Sequence, residues 1–192
     1  MYLAGPDVFA ADALAIGARK KEACARHGLV GVFPGDLVQL DPRLAPLDQA
    51  LAIYDVLERA MRDCDGAFVD ITPFRGPSAD VGTAYEMGFL KALDRPLFAY
   101  SNSAAPFADR VFAWSGGRVA RRADGARADA DGMAIEEFGL ADNLMIDAGA
   151  RRSTGVPVVA EARDPAAVLA NFERCVRAAA AWFAARRSSG GR

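Results

Sequence analysis

Histidine is nearly absent from this 192-residue chain, with His27 as its only copy. Gly28 follows it at the end of a helical pattern, so His27 reads as a surface or capping residue, and a serine–histidine triad finds no support. Cysteine is scarce too. Cys24, Cys64 and Cys175 are odd in number and far apart, with no C-x-x-C pair, which suits a reduced compartment and predicts a cytoplasmic protein. No H-x-x-x-H, C-x-x-C or acidic-loop spacing supports a metal site, and the dinucleotide fingerprint G-x-G-x-x-G is missing. No apolar run reaches the ~18 residues of a membrane span, and the N-terminus lacks a basic segment followed by an apolar core, so neither membrane nor export is expected. Charge of one sign is lacking as well: 23 basic against 25 acidic side chains leave a net charge of −2. That balance points away from nucleic acid and anionic membranes and toward a small polar ligand.

What is present is apolar, in short lengths. Hydrophobic residues make up 52% of the chain, as in a soluble globular protein, and a single domain is expected over residues 1–185. Runs at 1–4, 29–33, 66–71, 96–100 and 156–160 are bounded by Gly, Pro or Asp, the pattern of buried parallel strands. Helical patterns fill roughly 11–27, 47–64, 80–94 and 165–187, the last opened by Asp164 as N-cap and Pro165 behind it. This alternation predicts an α/β fold whose five-stranded parallel sheet is covered on both faces. Ligands then gather beyond the carboxyl ends of the strands at the switch point of strand order, which singles out the loops after 1–4 and 66–71. Residues 101–155 are too long for a simple crossover, and the Gly, Ala, Arg and Asp tract at 115–132 predicts a polar, mobile excursion. A frayed tail is expected over 186–192.

Residues 76–89, GPSADVGTAYEMGF, follow the 66–71 run through a loop and open the next helix, bringing Asp80 and Glu86 to the expected ligand end of the sheet. On that helix Lys91 and Asp94 mark the solvent side, whereas Glu86 shares a stripe with Phe89, Leu90 and Leu93. A glutamate therefore stands where core is expected, and an unpaired carboxylate there is costly or takes up a proton. Two readings follow. Either Glu86 lines a wet edge or pairs with an arginine such as Arg75, or the helix dipole and free amides keep it ionised as a nucleophile. Two carboxylates at one pocket suggest the glycosidase arrangement of nucleophile and proton donor at an anomeric carbon. Before them, AGPDVF (4–9) makes a Gly-Pro turn. There Asp7 is either an ordinary N-cap or an acceptor for the edge of a planar base that packs on Phe9.

Four stretches, YLAGPDVF (2–9), ITPFRGPSADVGTAYEMGF (71–89), RPLFAYSN (95–102) and EEFGLADNLMI (136–146), stand in the order of the nucleoside 2-deoxyribosyltransferase family, which the chain resembles from residue 1 to about 170 outside 115–132. The D-V-G-x-x-x-E spacing from Asp80 to Glu86, together with Asn143-Leu144-Met145, carries the likeness. It implies a flavodoxin-like (Rossmann-like) three-layer sandwich without metal or organic cofactor. It also implies a salvage reaction that exchanges the purine or pyrimidine base of a 2-deoxynucleoside through a covalent deoxyribosyl-enzyme, with net retention. Glu86 resembles the nucleophile that attacks C1′, Tyr2 the phenol that orients it, and Asp80 the carboxylate that holds the sugar hydroxyls and assists proton transfer. Asp7, Phe9, Arg75 and Gly82, in the matching stretches, and Asp70, just before the second of them, are candidate substrate-binding positions. Asn143 and Met145 match residues that cross a subunit interface to close a neighbour's sugar pocket. The implied partners are a 2-deoxynucleoside, a free nucleobase and further copies of the chain, with a dimer as the minimal catalytic unit and a tetramer or hexamer as larger forms.

The chain also departs from the family pattern. Where relatives carry an amide or acid on the helix before the 66–71 run, the register gives Leu57, flanked by Asp55 and Glu58. Asp70 stands where asparagine is expected, serving the leaving base or capping the loop. The chain begins almost at Tyr2, so the first strand is expected to be short. Two alternatives remain. One is an N-glycoside hydrolase of deoxynucleosides or nucleotides, with water replacing the acceptor base; the acid in AGPDVF favours nucleosides. The other is a non-enzymatic flavodoxin-like ligand-binding domain, against which Glu86 on a core stripe speaks.

Overall fold

Three apolar runs, buried along their whole length, form the centre of a parallel sheet: β1 (Tyr2–Ala4), β2 (Ala67–Asp70) and β3 (Leu97–Ser101). The computed structural model describes residues 1–117, 120–155 and 157–189. A two-stranded antiparallel hairpin, β4 (Ala120–Arg121) and β5 (Arg127–Ala128), lies apart, and β6 (Val158–Val159) completes the main sheet in the order β1-β2-β3-β6. The helices are α1 (Ala13–Arg26), α2 (Pro34–Leu37), α3 (Pro46–Asp63), α4 (Val81–Ala92), α5 (Phe107–Trp114), α6 (Leu144–Ser153) and α7 (Pro165–Ser189).

Side chains alternate across the sheet, as the strand period of two requires. Leu3, Phe68, Phe98 and Tyr100 face α1 and α7, where they meet Ala23, Cys24, Phe172 and Val176. Tyr2, Ala4, Val69, Leu97 and Ala99 face the other way, onto Met61 of α3, Met87 and Leu90 of α4 and Ala150 of α6. Both faces are therefore covered, and the result is the expected flavodoxin-like three-layer α/β sandwich.

The expected fifth strand is a correction. Among the described residues the parallel sheet has four strands, and the run at 29–33 joins it through one bridge, Val32 to Tyr2. The cause is local: Gly28 turns the chain with φ of +73°, Val30 is exposed, and Pro34 starts α2 directly after Phe33, so only Val32 is left to pair. That single bridge still sets the topology. From β1 the chain moves outward to Val32 and then returns to β2 on the other side of β1, which places the switch point at the ends of β1 and β2.

The helices expected from periodicity are present within a few residues. Asp164 caps α7, accepting from the amides of Ala166 and Ala167 at 3.1 and 2.9 Å. His27 is the C-cap residue of α1. The stretch 101–155, expected to be too long for a simple crossover, carries α5, the hairpin and α6, and Ala128 within the polar 115–132 tract is fully buried. Residues 118–119 of that tract, Val156 of the last expected strand and residues 190–192 of the expected tail lie outside the described residues. Up to Ser189 the expected tail continues α7. Cys24, Cys64 and Cys175 are buried free thiols, and no helix among the described residues is long and apolar enough to cross a membrane.

Candidate active site

Strand alternation turns Tyr2 toward α4, and the helical period turns Glu86 toward β1, since Thr83, Met87 and Leu90 on the same side of α4 are buried. The two meet 84 positions apart in sequence: the Tyr2 hydroxyl donates to Glu86 Oε1 at 2.6 Å. Burial pushes the Glu86 carboxyl up to about 7; the Tyr2 bond opposes this rise and the nearby charge of Asp80 adds to it. Glu86 is the sixth residue of α4, beyond the Thr83 amide that the Asp80 side chain caps. The expected help from the helix start therefore meets an opposing effect, since burial raises the Glu86 carboxyl toward neutrality. Burial, followed by the neighbouring Glu86 charge, drives the Tyr2 phenol far upward, which keeps it a hydrogen-bond donor.

Asp80 is the N-cap of α4. Its Oδ2 accepts from the Thr83 amide at 3.0 Å and the Thr83 hydroxyl at 3.2 Å. A Cβ at Gly82 would stand 3.0 Å from that oxygen, so glycine leaves the carboxylate its place. The segment before it is clamped from α5 and the approach to α6. Buried Asp142 accepts from the Ala79 amide at 3.0 Å and from the Ser78 hydroxyl, while Arg110 donates to the Pro77 carbonyl at 2.7 Å and to Asp142 at 3.2 Å. Glu86, Asp80, Gly82 and Thr83 form one end of a cavity of about 550 Å³. Gly5, Val8, Phe9, Leu14, Val38 and Leu57 are among the residues of its other walls. Gly5 is required by close packing, because a Cβ there would meet Asp70 Cβ at 2.9 Å. A buried carboxyl that titrates near neutrality, held by a phenol at the wall of a cavity beyond the strand ends, can capture an electrophilic carbon.

The sequence profile described as nucleoside 2-deoxyribosyltransferase matches residues 1–145. The chain belongs to that family. An uncharacterized protein of Schizosaccharomyces pombe is 31% identical over 169 residues, covering 83% of this chain and 80% of the relative. Among solved structures, the 2-desoxiribosyltransferase from Leishmania mexicana superposes with a TM-score of 0.57 at 26% identity, covering 90% of this chain and 95% of that one. The 2-deoxyribosyltransferase of Bacillus psychrosaccharolyticus aligns over 57% of this chain and 80% of its own, at 18% identity and a TM-score of 0.46.

Within this family member, the sequence candidates separate into three places. Tyr2 and Glu86 are bonded to each other, and Glu86, Asp80, Gly82 and Phe9 line the cavity. Arg75 is not among the lining residues and takes the left-handed region with φ of 53°. Its guanidinium lies 5.1 Å from the Phe9 ring and 4.7 Å from Phe74, which stacks on Phe9 at 5.3 Å. Asp7 and Asp70 are turned elsewhere. Asp7 pairs with the buried ammonium of Lys20 beside a second, smaller cavity, because a lysine taken out of water needs a counter-charge. Asp70 caps its own loop, accepting from the Thr72 amide at 2.9 Å. Burial raises the Asp70 carboxyl, and Lys20 works against that rise. Asn143 caps α6, accepting from the Met145 amide at 3.0 Å and donating to Glu136 at 2.9 Å, and Met145 is 75% exposed; both line a groove between α4 and α6 rather than the Glu86 cavity.

Sequence reasoning missed Lys20, Thr83, Arg110 and Asp142. Lys20 had a legible signal, since it falls on the stripe of Gly17, Ala23 and Cys24 that α1 buries. Asp142 had none, because its partners Ser78 and Ala79 lie more than sixty residues away.

The Tyr2 contact makes its own prediction. Tyr2→Phe removes the bond that opposes the upward shift of Glu86, so the acid limb of kcat/KM should move to higher pH, by up to about one unit. The rate should fall roughly ten- to a hundredfold, the worth of a hydrogen bond to a charged group. A pH–rate profile that keeps the wild-type limb would separate Tyr2 from the ionisation of Glu86.

Proposed function

We propose that the chain transfers the 2-deoxyribosyl group between the bases of 2-deoxynucleosides, with Glu86 as the nucleophile. The observation that carries this reading is the 2.6 Å bond from Tyr2 to Glu86 Oε1, beside Asp80, at the wall of the cavity. Tyr2 holds Oε1, and Oε2 attacks C1′ of the sugar. The C1′–N bond breaks, the base leaves with a proton, and a glutamyl ester remains. Asp80 has its capping bonds on Oδ2, which leaves Oδ1 for a sugar hydroxyl or for the proton of the departing base. A second base attacks C1′ from the face opposite the ester oxygen and gives its N–H proton to Asp80, the C1′–O bond breaks with its electrons to Glu86, and the two inversions sum to retention.

The catalytic unit in this reading is an oligomer. Asn143 and Met145 do not line the cavity of their own chain but the groove between α4 and α6, where Met87, Leu144 and Ile146 supply apolar area and Met145 is 75% exposed. Such a patch favours association with a second copy, which brings Asn143 to a neighbour's sugar.

Incubation with deoxyinosine, with and without free adenine, tests the reading by chromatography. New deoxyadenosine is the expected product, and free base with deoxyribose alone would assign hydrolysis instead. Inosine should react at least about tenfold more slowly, since a buried extra hydroxyl without a partner is penalised; equal rates would show that C2′ is not enclosed.

A further inference from the structure

Between β2 and α4, residues 71–80 form neither helix nor strand. The first part of this loop closes on itself, the Phe74 amide donating to the Ser78 carbonyl at 3.0 Å. The last part is held from outside, one residue after another. Arg110 Nε donates to the Pro77 carbonyl at 2.7 Å, the Ser78 hydroxyl donates to Asp142 Oδ1, and the Ala79 amide donates to Asp142 Oδ2 at 3.0 Å. The next residue is Asp80. Asp142 Oδ1 also accepts from the Asn143 amide at 2.7 Å and Oδ2 from Arg110 at 3.2 Å, so each oxygen is filled twice. Burial raises the Asp142 carboxyl, and these bonds work against that rise. Stability alone does not call for the arrangement: desolvating a carboxylate and a guanidinium offsets most of what their pairing returns, and apolar side chains of similar volume serve a core as well. What the fully buried Asp142 supplies is direction, because hydrogen bonds fix the angle and distance of residues 77–79 where apolar contact would let them slide.

Resting on the reading above, in which Asp80 holds the sugar beside Glu86, we propose that Asp142 is a positioning residue for Asp80, with Arg110 as its counter-charge. The Thr83 amide and hydroxyl fix Asp80 Oδ2 to α4, and Asp142 fixes the backbone that leads into Asp80, so Oδ1 is aimed from both sides. Asp142 is not among the residues that line the Glu86 cavity; it acts through Asp80. The aim matters to the reaction in two ways. A reacting group displaced by about 1 Å loses on the order of a hundredfold in rate. The Asp80 charge also adds to the rise of the Glu86 carboxyl, so its distance helps to set the ionisation of the nucleophile.

The test is a double-mutant cycle: Asp142→Asn is made in wild type and in Asp80→Asn, and transfer from deoxyinosine to adenine is measured. Asparagine keeps the volume, but its NH2 group meets either the Asn143 amide or the Ala79 amide and Arg110, donor against donor. In wild type kcat/KM should fall at least about tenfold. In Asp80→Asn the same change should cost no more than about twofold, since a residue that acts through Asp80 has little left to lose once that carboxylate is gone. A smaller loss in wild type, or a comparable loss in both backgrounds, overturns the proposal. Amide hydrogen exchange gives a readout that needs no turnover: in Asp142→Asn it should quicken at least about tenfold over residues 78–83 and stay unchanged in β2 and β3. Unchanged exchange at 78–83, or faster exchange across the sheet as well, overturns the placement. If wild type transfers nothing, the reading above fails; there, and where Asp80→Asn is too slow to read, exchange decides by itself whether Asp142 holds Asp80. Should Asp142→Asn not fold, Ser78→Ala removes one bond to the same carboxylate and enters the same cycle, with an expected loss of about threefold or more in wild type and none in Asp80→Asn; equal losses there overturn the proposal too.

Discussion

Glu86→Ala should reduce base exchange by roughly 10⁴-fold or more while the chain stays folded, because the covalent route disappears with the carboxylate. Near wild-type turnover in this variant would end the mechanism. Wild type treated with a 2-fluoro-2-deoxynucleoside should carry a sugar adduct on Glu86, detectable by peptide mass spectrometry. Glu86→Gln separates chemistry from stability. The Glu86 carboxyl is raised from its ordinary 4.5 to about 7, so the unfolded chain ionises first. As pH rises from about 4.5 to 7 the unfolded state has lost this proton and the folded state has kept it, so wild type loses stability across that window and does not regain it above. Glutamine has no such titration and still accepts from Tyr2. Glu86→Gln should therefore be inactive, yet more stable than wild type at pH 8 by ~2 kcal/mol, with the gain shrinking toward pH 5. Urea unfolding at the two pH values measures the difference; equal gains at both would show that the carboxyl is not held protonated by burial.

Mixing two inactive proteins, Glu86→Ala and Asn143→Ala, should restore activity once their subunits exchange. In a mixed dimer with shared sites, one site carries both lesions and the other carries neither. The mixed dimer should then approach about half of the wild-type rate if the sites act independently. Asn143 motivates the experiment by its position: it caps α6 on the groove shared with α4 and stands outside the cavity that Glu86 lines. The same arrangement predicts that activity falls on dilution below the dissociation constant of the oligomer, because an isolated chain lacks the donor and one wall against water. If native mass spectrometry confirms exchange and activity stays at the level of the separate variants, Asn143 acts within its own chain and the shared site is wrong.

Much of the architecture follows from local pattern. Apolar runs bounded by Gly, Pro and Asp, alternating with 3.6-period segments, are enough to specify a parallel sheet between two helix layers, because each side chain's face depends only on its neighbours in sequence. Glu86 was legible for the same reason, as the one acid on a stripe with Phe89, Leu90 and Leu93. Pairing across the fold was not. The run at 29–33 has the composition of a strand, but whether it pairs depends on where Pro34 and α2 direct the chain, and a single bridge survives. The hydrophobic segment around Leu144 gave no sign of being helical until Asn143 and Glu136 were seen to satisfy its first amides. At the site, Asp7 reads as an N-cap or an acceptor for a base and Asp70 as a loop cap or a group serving the leaving base, and the fold turns them to Lys20 and Thr72. The sequence by itself thus determined the α/β layering, the ligand end of the sheet and the carboxylate that stands there. Only the tertiary structure decided which partner each acid has and how charged Glu86 is, because a carboxyl's ionisation answers to burial and to the Tyr2 hydroxyl 84 positions away, and neither distance nor burial is written in local order.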